Sequence, residues 1–107
     1  MIFRTFIAPA FALMSAFQPV SAVATVPSGF QYIVTSADEE LYFGKVLARS
    51  GDVSIMNIYI VDANGVGENG WTTGYNCADQ TWQSSSGEWE TTVPGSISED
   101  LLEAACR

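Results

Sequence analysis

Short apolar runs separated by polar turns make up the chain after residue 29. Branched and aromatic side chains predominate in these runs, which is the composition of β-strands. Polar residues 36–40 separate the first two runs and predict a turn, and the serines and glycine of residues 84–87 predict another. The predicted extended segments are residues 30–35, 41–48, 53–61, 71–77, 81–84 and 89–93.

The connection between the second and third runs predicts a β-hairpin. Residues 49–52 include Gly51, and glycine readily takes the positive φ that a short hairpin turn demands. In the following run, residues 53–61, apolar side chains occupy both sets of alternate positions. We therefore expect a strand in the middle of its sheet. Either the domain itself covers both of its faces, or a partner covers one of them.

The periodicity changes from strand to helix spacing after residue 95. Ser96 and Glu99, three residues apart, match a capping box, which marks the start of a helix. The apolar residues that follow share one helical face, and they are Ile97, Leu101, Leu102 and Ala105. The predicted fold class is therefore α+β, an antiparallel sheet with a C-terminal α-helix packed on it.

The first two dozen residues have the order of a secretory signal peptide. An early cation, Arg4, precedes an apolar run and then small residues. Cleavage after Ala22 or after Ala24 satisfies the preference for small side chains, and we prefer Ala22. The apolar run is shorter than the roughly 20 residues that cross a bilayer. We therefore expect a signal peptide over residues 1–22 and a single periplasmic or secreted domain over residues 23–107, without a membrane anchor.

Cys77 and Cys106 are the two cysteines of the chain, and in an oxidising compartment we expect them to form a disulfide. The bond would tether the helix to the strand that ends near Cys77. An 85-residue domain is marginal on core burial alone, so a covalent staple is expected. The alternatives are free thiols or a metal site, and two cysteines without histidine supply only half of a usual zinc shell.

Charge narrows the classes of partner. The chain has 12 acidic and 4 basic residues, a net charge of −8, and loss of Arg4 with the signal lowers it to −9. An anionic surface repels phosphate backbones and anionic membranes, so we expect no nucleic acid partner. Negative charge attracts a cationic protein partner, although it also serves simply to keep a secreted domain soluble.

The order of these segments resembles the surface-adhesin protein E family of small bacterial secreted domains. The resemblance covers residues 30–107, and it lies in LYFGKVLARSGDVSIMNIYIV, a strand ending in Cys77, Trp89 and VPGSISEDLLEAAC. The most specific part is the closing block that runs from Trp89 through Pro-Gly-Ser to Cys106. The resemblance implies an antiparallel sheet with a disulfide-tethered C-terminal helix, and an activity in attachment to host proteins.

The glycine- and asparagine-rich residues 62–70 predict a loop and invite a calcium hypothesis. Asp62 and Asn64 fall at positions 1 and 3 of an EF-hand loop, but positions 5 and 12 are Val66 and Thr73. The oxygen ligands that would complete the coordination shell are therefore missing. A flexible hairpin loop is the simpler interpretation, and we expect no metal site.

The sequence contains no strong pattern of catalytic residues. Glu88 and Glu90 flank Trp89 and share one face of an extended segment, as a glycosidase pair would, but solvated acids are far commoner. Histidine is absent from the chain, so a histidine-dependent triad cannot form, and Lys45 is the only lysine. We expect no catalytic residues and no cofactor.

Three tryptophans remain as candidates for function. Exposed tryptophan anchors binding surfaces, whereas the alternative is that these indoles belong to the core. We expect Trp89 to be structural, beside the start of the helix. Trp71 and Trp82, near loop-rich segments, are the better candidates, and Tyr75 lies between them in sequence. The predicted binding surface is Trp71, Trp82 and Tyr75.

These observations favour a secreted, non-enzymatic binding domain, adhesin-like, with no ligand or oligomeric state indicated. The alternative is a small acidic periplasmic inhibitor whose loop occupies the cleft of a cationic enzyme such as lysozyme. A third class is a calcium-dependent enzyme or sugar binder.

Overall fold

The computed structural model describes residues 26–107, in which six strands form one antiparallel sheet and a single helix lies on it. The sheet order follows the chain order, so each strand pairs with the next, and the sheet curls into a half-barrel. The predicted signal peptide, residues 1–22, lies outside the described residues. The elements are β1 (Gln31–Thr35), β2 (Leu41–Ser50), β3 (Val53–Val61), β4 (Gly67–Asn76), β5 (Thr81–Gln83), β6 (Trp89–Thr91) and α1 (Ile97–Ala105).

The antiparallel sheet, the C-terminal helix and the disulfide agree with the prediction. Strands hold far more residues than the helix, so the domain is mostly β and fits the α+β class only loosely. β5 and β6 are three residues long, shorter than predicted, and residues 84–87 form the turn between them. The amide N–H of Ser84 donates to the carbonyl of Glu88 and closes this turn.

The hairpin between β2 and β3 is confirmed, but its turn has two residues rather than the four of the predicted connection 49–52, because β2 continues to Ser50. Ser50 pairs with Val53, and between them Gly51 has a φ of 60°. An L-residue with a side chain adopts this conformation only at a cost, which is why glycine is needed here. The same hairpin aligns nine residue pairs from Leu41 to Ser50, and its strands are the second and third of the sheet.

The loop between β3 and β4 is shorter than the predicted loop of residues 62–70. One carboxylate oxygen of Asp62 accepts hydrogen bonds from the amides of Asn64 and Val66, both at 2.9 Å, and the Asp62 amide donates to the Val66 carbonyl. These bonds close the turn within residues 62–66, and β4 begins at once with Gly67. Residues 67–70 are therefore strand, and the Asp62 carboxylate orders its own loop.

β3 is central, as predicted, because β2 and β4 pair with its two edges. Met56 and Ile58 point to the face that α1 covers, and both are at most 1% exposed. Tyr59 and Val61 point to the opposite face, where the Tyr59 ring lies 5.8 Å from the ring of Phe30. Side chains of the domain itself thus pack on both faces of this strand.

The hydrophobic core lies between α1 and the sheet. Leu101, Leu102 and Ala105 lie on one side of the helix and are at most 2% exposed. They pack against a sheet surface that includes Ile58 and Tyr75. Burying one leucine side chain contributes about 1.5–3 kcal/mol. The helical spacing seen in the sequence therefore corresponds to the buried face of α1.

Ser96 caps the helix, but the capping box is not reciprocal. The Ser96 hydroxyl accepts from the Glu99 amide at 3.2 Å, while the Glu99 carboxylate accepts from the Gly95 amide at 2.8 Å. The Ser96 amide is already engaged, because it donates to the carbonyl of Val93. The Glu99 carboxylate therefore binds the amide N–H of Gly95, the residue before the cap, instead of that of Ser96. The start of the helix is still capped by the Ser96 hydroxyl.

The disulfide joins Cys77 to Cys106, with Cα atoms 5.6 Å apart and a sequence separation of 29. Cys77 directly follows β4, and its amide donates to the Asp52 carbonyl in the β2–β3 turn at 2.8 Å. Cys106 is the C-terminal cap of α1. In the chain-entropy model, closing such a loop stabilises the fold by about 3–4 kcal/mol. The bond fastens the end of the helix to the strand end, as predicted.

Gly44 permits the closest packing between β2 and its neighbours, so its substitution should be costly. A Cβ at this position would lie 2.6 Å from Ile33 Cδ1 and 2.7 Å from the sulfur of Met56, a fully buried side chain. We expect Gly44→Ala to lower the free energy of unfolding by about 1–3 kcal/mol in urea denaturation. The matched control is Gly74→Ala, whose Cβ would meet its nearest neighbour at 3.3 Å. An equal or smaller loss for Gly44→Ala would contradict this packing.

Candidate functional site

A cavity of about 610 Å³ lies where β4, β5 and the turn after β5 meet the first turns of α1. All three residues of the predicted binding surface line it, and the structure therefore brings Trp71, Trp82 and Tyr75 together. Most of the other lining residues carry hydroxyl or amide groups or are glycines. The full lining is Trp71, Thr72, Thr73, Gly74, Tyr75, Trp82, Gln83, Ser84, Ser85, Gly87, Ser98 and Leu101.

Strand alternation explains why the three aromatic side chains meet. Alternate residues on a strand point to the same face, so Trp71, Thr73 and Tyr75 all point to the face that carries α1. Trp82 lies directly opposite Tyr75 in the β4–β5 pair, and its half-buried ring packs against the core. The cavity is thus built on paired strands and the turn after β5, with a helix beside it.

Trp71 is the exposed aromatic residue of the cavity, with 42% of its surface accessible. Its ring packs edge-on against Tyr42, with centroids 6.5 Å apart, and the Tyr42 hydroxyl donates to Glu40 at 3.2 Å. The Asn57 amide donates to the Trp71 carbonyl at 3.2 Å and to the Thr72 hydroxyl at 3.0 Å. These contacts hold the indole in place while it remains open to solvent.

Tyr75 is only 2% exposed, and it supports the cavity from the core side. Burial raises the pKa of its phenol to about 12, and hydrogen bonding with the Trp71 side chain opposes this shift only in part. Tyr42, which braces Trp71, also has a raised pKa, mainly because of burial and then because of the charge on Glu40. Both phenols are therefore neutral at ordinary pH and keep their hydroxyl hydrogens.

Trp89 does not pack beside the start of the helix, so that prediction is wrong. It pairs with Gln83, and its ring lies over Gly74, on the sheet face opposite α1. The reason is alternation, since its neighbour Glu90 pairs with Trp82 and takes the helix side. Trp89 is 43% exposed, almost the same fraction as Trp71.

None of the twelve residues that line the cavity carries a charge. The cations lie elsewhere: Lys45, Arg49 and Arg107 line a second cavity of about 410 Å³ beside the end of α1. There the Arg49 guanidinium donates to the Arg107 carbonyl at 2.9 Å. The aromatic cavity therefore offers π surfaces and neutral hydrogen-bonding groups and provides no ion-pair partner for a charged ligand.

The sequence interpretation missed the polar half of the cavity. Gln83, Ser84 and Ser85 were recognised only as the end of a strand and a turn, and Ser98 only as part of the helix. Their meeting depends on the register of β4 with β5 and on where α1 lies, which no local pattern reveals. The serine-rich composition of residues 84–86, beside Trp82, was the available signal.

Glu88 and Glu90 are both exposed, in accordance with solvated acids. Within residues 26–107, no three cysteine, aspartate or glutamate side chains converge as a metal site requires. In the same residues, no helix has the length and apolar character needed to span a membrane.

The fold and cavity of residues 26–107 define a small, disulfide-bonded antiparallel β-domain with an uncharged aromatic cavity on its helix side. Comparison of the chain with known protein families, curated proteins and solved structures finds no match. The resemblance to the surface-adhesin protein E family therefore stays a prediction. Inference about function rests on the geometry of this cavity.

The pKa of Tyr75 predicts how stability responds to alkali. A phenol whose pKa is about 12 when folded and about 10 when unfolded stabilises the fold fully below pH 10. That contribution is lost as the pH rises from about 10 to 12, because the unfolded chain ionises first. We expect the wild type to lose about 2 kcal/mol more than Tyr75→Phe between about pH 9.5 and 11.5, measured by urea unfolding.

Tyr42 is present in both proteins, so its ionisation cancels in this comparison. Parallel stability profiles for wild type and Tyr75→Phe would contradict the assigned environment of Tyr75.

Proposed function

We propose that this protein is a periplasmic or secreted, non-enzymatic binding domain and that the aromatic cavity is its ligand site. The observation that carries the proposal is the convergence of Trp71, Trp82 and Tyr75 on one cavity of about 610 Å³. Cavities of this size, lined by aromatic side chains with a few polar groups, are typical of small-molecule sites. No lining residue is an acid, a base or a cysteine, which favours recognition over bond chemistry.

Rigidity supports the proposal. Trp71 is braced by Tyr42 and Asn57, and Trp82 packs against the core, so both indoles are placed before a ligand arrives. A preformed site loses less conformational entropy on binding than a mobile one, and affinity benefits accordingly. An adhesin-like role, attachment to a molecule of another cell surface, fits a domain that presents such a site to the exterior. The resemblance to the adhesin family points in the same direction.

The experiment uses the two equally exposed tryptophans as a matched pair. Trp71→Ala removes an indole at the cavity, and Trp89→Ala removes an indole that is 43% exposed on the opposite face. We expect Trp71→Ala to weaken binding at least tenfold to whichever member of a panel of oligosaccharides and extracellular-matrix proteins the wild type binds. Trp89→Ala should change the affinity less than twofold, as measured by titration calorimetry.

If the two variants lose affinity equally, or only Trp89→Ala loses it, the cavity is not the site. Circular dichroism and urea unfolding of both variants establish that each is folded before binding is compared.

A second candidate function, inhibition of a cationic enzyme, has one specific observation in its favour. Residues 36–40 form a tight turn that presents Asp38 and Glu39 to solvent, and Glu39 has a φ of 65° although it is not glycine. The turn is held by the Ser36 side chain and backbone, which accept from the amides of Glu40 and Glu39. Such strained, rigid turns cluster at functional sites, and an acidic one suits a cationic cleft.

The inhibitor hypothesis is tested against lysozyme at two salt concentrations. We expect Glu39→Gln to weaken inhibition at low salt and raised salt to slow association steeply. The control, Glu103→Gln, removes the same charge from an exposed helix position. Equal effects of the two substitutions, or no inhibition by the wild type, would leave only the cavity hypothesis.

A further inference from the structure

The chemistry of the cavity lining points to one class of ligand. Resting on the proposed function, we propose that the cavity binds a neutral carbohydrate, a short oligosaccharide without carboxylate, sulfate or phosphate groups. The proposal rests on three properties of the lining: it is uncharged, it presents indole surface, and most of its other side chains carry a hydroxyl group.

The absence of charge in the lining selects against ionic ligands. The chain carries a net charge of −8, so an anionic sugar is repelled by the protein as a whole and finds no cation in the cavity. The three cations of the described residues lie around the second cavity instead. A cationic ligand would be attracted to the domain, but inside the cavity it would lose water without gaining a carboxylate partner. A neutral ligand is neither repelled by the net charge nor left with an unpaired charge in the cavity.

Indole rings suit the apolar face of a sugar ring. A pyranose presents C–H groups on its faces and hydroxyls around its rim, so a flat aromatic surface removes its C–H face from water without displacing the hydroxyls. Trp71 is 42% exposed, and Trp82 is half-buried at the same cavity. One indole therefore faces solvent at the opening, and the second lies deeper against the core.

The polar lining suits the rim of the sugar. Hydroxyl groups both donate and accept hydrogen bonds, as sugar hydroxyls do, and the lining has them on Thr73, Ser84, Ser85 and Ser98. A purely apolar ligand would cover these groups without pairing them, at about 1–3 kcal/mol for each group left unsatisfied. A polyhydroxylated ligand pairs them.

The test is a titration of the intact, oxidised protein with cello-, malto- and chito-oligosaccharides, monitored by tryptophan fluorescence and calorimetry. We expect at least one neutral series to bind, with an affinity that changes less than twofold when salt is raised. Trp71→Ala should lose at least tenfold and Trp71→Phe should recover part of that loss, because a smaller aromatic ring still covers a sugar face. Trp89→Ala should bind as the wild type does.

Further binding measurements distinguish two failures: the cavity binds another class of ligand, or the cavity is not a binding site. If no neutral oligosaccharide binds, but an anionic oligosaccharide or a matrix protein does and Trp71→Ala abolishes that binding, the carbohydrate inference is overturned and the proposed site stands. If neutral sugars bind equally to wild type, Trp71→Ala and Ser98→Ala, the sugar lies elsewhere and both are overturned. If none of these probes binds, the carbohydrate inference is likewise overturned.

Discussion

Packing of α1 against the centre of the sheet is the interaction on which the rest of the structure depends. Leu102 and Ala105, both at most 2% exposed, meet Ile58 and Tyr75 and form most of the core of a chain too small to form a second one. The helix has nine residues, and an isolated helix of this length is unstable in water. Its persistence therefore depends on this contact, on the Ser96 cap and on the bond to Cys77.

The same packing builds the cavity. Leu101 belongs both to the buried face of α1 and to the cavity lining, and Tyr75 belongs both to the core and to the lining. Ser98 reaches the cavity only because α1 lies where its core residues place it. Displacing the helix would therefore open the cavity on one side and expose the ring of Tyr75. Stability and the proposed binding site depend on one set of contacts, which links the disulfide to function indirectly.

Local chemistry made several elements predictable. Gly51 predicts a short hairpin turn, Ser96 predicts a helix start, and the pair of cysteines behind a predicted signal peptide predicts the disulfide. In each case a few neighbouring residues, or a single covalent pairing, determine the outcome. Trp71 and Trp82 were predicted as a candidate surface because they lie near loop-rich segments, and strand alternation explains why Trp71 and Tyr75 then share a face.

The features that were not predicted depend on contacts between residues far apart in sequence, or on hydrogen bonds of single side chains that composition does not reveal. The Asp62 carboxylate orders its own turn, so β4 starts at Gly67 rather than at Trp71. Trp89 faces away from the helix because its register with Gln83 places it there, and a shift of one residue would reverse this. The hydroxyl groups of the cavity come from a turn and a helix whose approach only the assembled sheet determines.

Hydrogen exchange on the oxidised and reduced protein tests this dependence most directly. With the Cys77–Cys106 bond reduced, we expect amides of α1, Ile97–Ala105, to lose protection well before those of the paired strands β2, β3 and β4. The reason is that the helix relies on the bond, whereas the central strands retain their backbone pairing. Unchanged protection of α1 after reduction would show that the disulfide does not hold the helix in place and would contradict the account.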